Sequence, residues 1–301
     1  FLDHIMAGKL PKPGRISLTP MLTYRGKLYG DLTVACLDEN EFMVFGSGAA
    51  QEMHRRWFES HLEKFNLQYK NRSDEFHGLG IAGPKSRDLL QKIVREDVSN
   101  DSFKFRDSRK MFVAGVPAIV NRISFTGELG YEIYVAPHFQ LKLYEELTNA
   151  GKEFNIKPFG GRALMSMRLE KNWGAWTLDY RPDFTAKETG LDVFINWNKD
   201  FIGKDCAQKD ESKNKLVPLI VETNDIDVTY NEAVLKGDKS IGYITSGGFA
   251  HFVNKSVAFS YIDQNEIKSD KGIKVEINGD FFNCSIIKEP LYDPTGQKMR
   301  S

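Results

Sequence analysis

Twice in the first half of the chain a strand hairpin runs straight into an amphipathic helix, and beyond residue 215 the helical spacing gives way to short strands alone. Leu28–Leu37 and Glu41–Gly46 read as strands joined by Asp38-Glu39-Asn40, with a helix over Ala49–Leu62. Ala118–Phe125 and Tyr131–Val135 read as a second hairpin around Thr126–Gly130, with a helix over His138–Ala150. The copies lie about 90 residues apart and share little residue identity, so the repeat is structural. Between them a strand near Gly78–Gly83 leads to a helix from Pro84. Another helix spans Ala163–Asn172, and a polar, turn-rich stretch, Asp205–Lys215, marks a boundary. After it come strands at Leu216–Glu222, Ile241–Thr245, Ser256–Ile262, Gly272–Ile277 and Phe282–Ile287, the spacing of a small barrel or sandwich. The expected class is α+β: two ββα units over residues 1–210, able to pack as pseudo-symmetric halves with a ligand between them, then a β-domain over 211–301.

Composition narrows the function. Forty-one Lys and Arg balance 41 Asp and Glu, so no overall basic field attracts nucleic acid, and no nucleic-acid partner is expected. No apolar run reaches the roughly 18–20 residues of a membrane span. Cys36, Cys206 and Cys284 lie far apart, which fits a reducing compartment, and the six histidines form no HxH or HExxH, so no metal site is expected. Phe1, Leu2, Ile5 and Met6 share a helical face with no cap before them, so the chain reads as part of something longer.

Two carboxylates sit inside apolar strands. Alternation puts Tyr29, Asp31, Thr33 and Ala35 on one face, with Leu28, Leu32 and Val34 on the other. Glu132 shares its face with Tyr134. Each is either part of a solvated sheet face or the lining of a site. If the units face one another, the two acids converge and suit a nitrogen heterocycle bearing N–H groups. Arg168 is either a surface helix residue or a clamp for a ligand carboxylate. His251 lies in a glycine-rich loop, and Trp173 and Trp176 read as packing anchors. Gly46-Ser47-Gly48 lacks the third glycine of a dinucleotide fingerprint, since Gln51 stands there.

Five segments in register resemble the T-protein (aminomethyltransferase) family of folate-dependent one-carbon enzymes. They are Thr19-Pro20-Met21-Leu22 with Gly30–Val34, Phe125–Glu132, Met167–Lys171, Asp200–Lys204, and Thr245-Ser246-Gly247 with Lys255-Ser256. Within the family, Gly14–Pro20, Asp31-Leu32-Thr33 and the ending Glu289–Pro294 look most like the C-terminal folate-binding half of dimethylglycine and sarcosine dehydrogenases. The resemblance implies a clover-leaf of ferredoxin-like ββα units around a central folate hole, followed by a small C-terminal β-barrel. It makes Asp31 the essential catalytic aspartate, which would orient or deprotonate the attacking folate nitrogen or stabilise a cationic intermediate. Thr33, Gly46, Glu132 and Tyr134 become tetrahydrofolate-binding positions, with Phe125 where relatives usually carry Tyr, and Arg168 as a family arginine. Gly30 replaces an Asp frequent before the catalytic one, and this departure and Phe125 both favour the dehydrogenase branch.

That branch implies 5,10-methylenetetrahydrofolate formed from an iminium or formaldehyde unit. The unit would come from a small N-methyl amine oxidised in an upstream flavin module, where FAD would sit. Location would be cytoplasmic, or the mitochondrial matrix in a eukaryote. The alternatives are a glycine-cleavage T-protein acting on an aminomethyl-lipoyl carrier protein, a methyltransferase using a sulfonium substrate, and a folate-binding module without chemistry.

Overall fold

A computed structural model describes residues 1–223, 225–268 and 271–301. The first unit comprises helix α1 (Leu2–Ile5), the antiparallel meander β1 (Ile16–Leu22), β2 (Leu28–Asp38) and β3 (Glu41–Phe45), and helix α2 (Gln51–Glu59). The alternation in β2 decides its orientation. Leu32 and Val34 join Ile5, Met6, Met21, Phe58 and Ile202 in one apolar core, with Tyr29 packed against it rather than on the face that alternation assigned, while Asp31 and Thr33 lie half-buried on the opposite face.

The second unit contains β4 (His77–Ala82), α3 (Ser86–Ile93), β5 (Ser108–Val113), β6 (Val116–Asn121), β7 (Gly130–Val135) and α4 (Gln140–Gly151). Its sheet runs β4-β7-β6-β5, all antiparallel. Ile81, Val120, Ile133 and Val135 pack with Leu89, Leu90, Leu143 and Leu147 of the two helices. The units meet at the start of β1, where Ile16 N–H donates to Arg106 O (2.8 Å), Ser108 N–H donates to Gly14 O (2.9 Å), and Arg15 pairs with Asp107.

Helices α5 (Gly161–Glu170), α6 (Ala186–Thr189) and α7 (Lys204–Gln208) lead into a closed six-stranded barrel. Its strands are β8 (Asn214–Val221), β9 (Ala233–Lys236), β10 (Lys239–Ala250), β11 (Lys255–Asp263), β12 (Ile273–Ile277) and β13 (Asp280–Ile286), closed in the order β10-β11-β8-β13-β12-β9. Closure leaves no free sheet edge. Leu219, Val234, Ile244, Ala258 and Val275 fill the interior.

The structure departs from the sequence reading in several places, the short helices α6 and α7 among them. Strand β6 stops at Asn121 rather than Phe125. Beyond it Ser124 Oγ and Thr126 Oγ1 accept from the N–H groups of Gly127 (3.0 Å) and Glu128 (3.2 Å), a local alternative to the sheet ladder. Strands β5 and β9 were not anticipated; β5 interleaves Arg109 and the exposed Phe112 with its buried residues, and β9 has four residues. The tail is not all strand. Asp293 caps a last helix, α8 (Gln297–Arg300), by accepting from Gln297 N–H (3.0 Å) and Lys298 N–H (2.9 Å).

Helix α5 joins the barrel to the rest. Ser166 donates to Phe249 O (2.5 Å), and Glu170 accepts from Phe252 N–H (2.6 Å). Beneath it Arg168 Nη1 donates to Asp179 Oδ2 at 2.5 Å, and both side chains are essentially inaccessible to solvent. Ala175 N–H also donates to Oδ2 (2.9 Å), while Thr245 and Ser246 hydroxyls donate to Oδ1 (2.5 and 2.7 Å). Asp179→Ala is expected to cost about 3–5 kcal/mol in urea unfolding, because it strands a buried guanidinium. Thr245→Val removes one neutral donor and is expected to cost about 1 kcal/mol. Equal losses would contradict the ion pair as the centre of this joint.

Candidate active site

Asp31 lies on the β2 face turned away from the core, and no cation or side-chain donor among the described residues pairs with it. Burial pushes its carboxyl up to about 7, opposed only by its own backbone N–H. The residue is half-buried, and its carboxyl is nonetheless strongly desolvated by the surrounding protein. The charge of Asp31 is felt at Tyr180, which is buried with its hydroxyl accepting from Gly174 N–H (3.1 Å). Burial first, and then the charge of Asp31, holds that phenol well above its ordinary range.

The path from Asp31 to Glu132 is continuous. Thr33 shares the Asp31 face and stands opposite Phe45 on β3. The Phe45 ring meets the Tyr134 ring across the two units, centroids 4.6 Å apart. The Tyr134 hydroxyl donates to Glu132 Oε2 at 2.7 Å. Burial raises the Glu132 carboxyl; Tyr134 opposes this without cancelling it. Glu132 stands between Gly80 on β4 and Asn121 on β6. A Cβ at Gly80 would meet nothing within 4 Å, so the sheet is open there. The buried Asn121 accepts from Ser108 Oγ (2.7 Å) through its carbonyl, while its Nδ2 has no partner.

These groups fit the heterocycle that the family resemblance implies. Glu132 keeps one carboxylate oxygen free of Tyr134 to accept from ring N–H groups, Asn121 has an amide donor to give, and the glycine face leaves room for a flat ring. Gly46 lies at the end of β3, where a Cβ would sit 2.8 Å from Leu32 Cδ2 and 3.2 Å from His54 Nδ1, so close packing explains the glycine. Phe125 is half-buried in the loop after β6, and no aromatic ring of the described residues pairs with it. A cleft of about 500 Å³ lies behind Tyr180, walled also by Trp173, Phe194 and Phe259; it contains neither carboxylate.

Arg168 requires correction. It is 1% exposed, and Asp179 and the Trp173 carbonyl (3.2 Å) take its Nη1 donors. Its guanidinium is part of the α5–barrel joint rather than a ligand clamp, because burial of that charge demanded a carboxylate inside the fold. Trp173 packs edge-on to Tyr180 and Phe194, and Trp176 contacts His54 (5.7 Å). His251 is exposed in the β10–β11 turn. Sequence reasoning missed Phe45, Asn121, Tyr180 and His54. For His54 a signal existed: it lies four residues before Phe58, on the buried face of α2.

Residues 1–199 match the family model described as the GCVT N-terminal domain, and residues 214–293 match the glycine cleavage T-protein C-terminal barrel domain. The chain is 37% identical to the mitochondrial dimethylglycine dehydrogenase of Homo sapiens, over 99% of this chain and 36% of that protein. It is 30% identical to an aminomethyltransferase of Caldanaerobacter subterraneus subsp. tengcongensis, over 99% of this chain and 81% of that one. The chain thus spans about a third of the length of the dehydrogenases it matches. The crystal structure of glycine cleavage system aminomethyltransferase T from Bartonella henselae shares the fold, with a TM-score of 0.85 at 21% identity over 97% of this chain and 81% of that one. With both family models matched in order across three units that end in a closed barrel, the chain belongs to the glycine cleavage T-protein (GCVT) family.

Proposed function

We propose that this chain transfers a one-carbon unit to tetrahydrofolate, the unit arriving as an iminium or formaldehyde from oxidation of an N-methyl amine of the dimethylglycine or sarcosine type. The oxidation, and FAD with it, belongs to an attached flavin module. The observation that carries the reading is Asp31: a desolvated carboxyl without a cation, poised near neutrality and connected through Phe45 and Tyr134 to a second buried acid. The higher identity to dimethylglycine dehydrogenases (37–38%) than to aminomethyltransferases (29–30%) supports the dehydrogenase branch. Coverage of about four fifths of the aminomethyltransferases keeps a second reading, transfer from an aminomethyl-lipoyl carrier protein.

Tetrahydrofolate supplies the nitrogen nucleophile when bound. Glu132 accepts from ring N–H groups, and Tyr134 holds the carboxylate in register by donating to Oε2. Asn121 Nδ2 donates to a ring carbonyl. Ionised Asp31 stabilises positive charge at the incoming carbon; in the protonated state it holds a proton where a nitrogen would need one. A desolvated carboxylate exerts this stabilisation at higher strength than one in water.

Asp31→Asn is expected to lower folate-dependent turnover at least about 100-fold. Tetrahydrofolate affinity should be nearly unchanged, measured by calorimetry; an equal loss of both would make Asp31 a binding residue. The same variant is expected to be more stable at pH 8. The folded carboxyl, held at about 7, keeps its proton above the ordinary 3.8, so native stability falls as pH rises between these values. Removing the charge recovers roughly 2–4 kcal/mol above that window; a loss of stability at pH 8 would contradict the burial. Glu132→Gln should weaken tetrahydrofolate binding about 10- to 100-fold, the value of a charge-assisted hydrogen bond. Binding as tight as wild type would place the heterocycle elsewhere.

A further inference from the structure

Strand β2 carries a β-bulge two residues before its acid. Leu28 pairs with Leu22 and Gly30 with Met21, so Tyr29 is an extra residue with no partner on β1. Bulges of this kind bend a strand and re-aim the side chains that follow. The Tyr29 carbonyl is instead met by a side chain from another element: His54 Nε2 lies 2.9 Å from it. A carbonyl only accepts, so Nε2 carries the hydrogen. The imidazole is 5% exposed, and burial lowers its tendency to protonate. Space for the ring is cut into the neighbouring backbone. A Cβ at Gly30 would lie 3.0 Å from Nε2, and one at Gly46 would lie 3.2 Å from Nδ1. Gly30 thus occupies the position before Asp31 for a packing reason.

We propose that His54 is the positioning residue for Asp31: as a neutral Nε2–H imidazole seated between Gly30 and Gly46, it pins the Tyr29 bulge and thereby fixes the direction of the Asp31 carboxylate. It touches neither carboxylate and acts only through the strand. The inference rests on the role proposed for Asp31, but its geometry has a readout independent of turnover.

In the intact chain, ring ¹³C and ¹⁵N signals of His54 are expected to report the Nε2–H tautomer at pH 7; the Nδ1–H tautomer or an imidazolium would overturn the proposal. His54→Leu fills the space without donating. It is expected to lower kcat about 10- to 100-fold, the scale of an ångström-level misplacement, with KM for tetrahydrofolate unchanged. His54→Gln, which places an amide N–H at the Nε2 position, should restore most of the loss. A fall in KM performance rather than kcat, or no rescue by Gln in a folded variant, would reduce His54 to packing and overturn the proposal. If the wild type shows no folate-dependent turnover, the proposed function fails instead. The inference is then judged on the Asp31 carboxyl ¹³C and the Gly30–Thr33 amide signals, which should move in His54→Leu and return in His54→Gln. Signals that stay put would overturn it.

Discussion

The Arg168–Asp179 pair holds the molecule together at the point where helix α5, the loop after it and the barrel meet. Burying two opposite charges costs several kcal/mol per ion unless every lone pair finds a donor. Here Asp179 is served by Arg168, the Ala175 N–H, Thr245 and Ser246, and its own carbonyl accepts from the Tyr261 hydroxyl at 2.7 Å. The next residue in the chain is the buried Tyr180, whose phenol feels the charge of Asp31. The short connection before it carries two left-handed non-glycine residues, Asn172 (φ 60°) and Thr177 (φ 72°), and Thr177 is β-branched. Such backbone persists only where surroundings over-determine it, and the Asp179 network is that determinant.

Two buried acids thus meet opposite fates within one structure. Asp179 has a donor for each lone pair it can use and serves the fold. Asp31 has only its own backbone N–H among the described residues and weakens the native state when ionised. A stability cost of this kind is what the proposed catalytic role of Asp31 would entail. The second unit repeats the theme in milder form: Glu132 has one hydrogen-bond donor, Tyr134, and faces an open glycine strand. The Phe45–Tyr134 contact makes a single surface of two separate sheets.

Much of this was legible from residues alone because side-chain alternation is a local property. The pattern Leu28–Leu37 placed Asp31 and Thr33 on the face away from the core, and Tyr131–Val135 placed Glu132 beside Tyr134. The strand-only character after residue 215 anticipated the barrel. What alternation does not contain is the partner. Nothing in Met167-Arg168-Leu169 says that the arginine meets Asp179 inside the protein. Likewise the bulge at Tyr29 depends on β1 register, so the reason His54 faces Gly30 existed only once β1 and β2 were paired. Asn121 was hidden for the same reason, since its importance lies in standing opposite Glu132.

The central claim is that the fold keeps a carboxyl desolvated and without a cation at Asp31. Titrating that side chain by ¹³C NMR in the intact chain, with Asp31→Asn used to assign the signal, tests it most directly. The account predicts a midpoint near 7, separate from the surface carboxylates. A midpoint close to the ordinary 3.8 would mean that water or a cation reaches the group freely, and would contradict it.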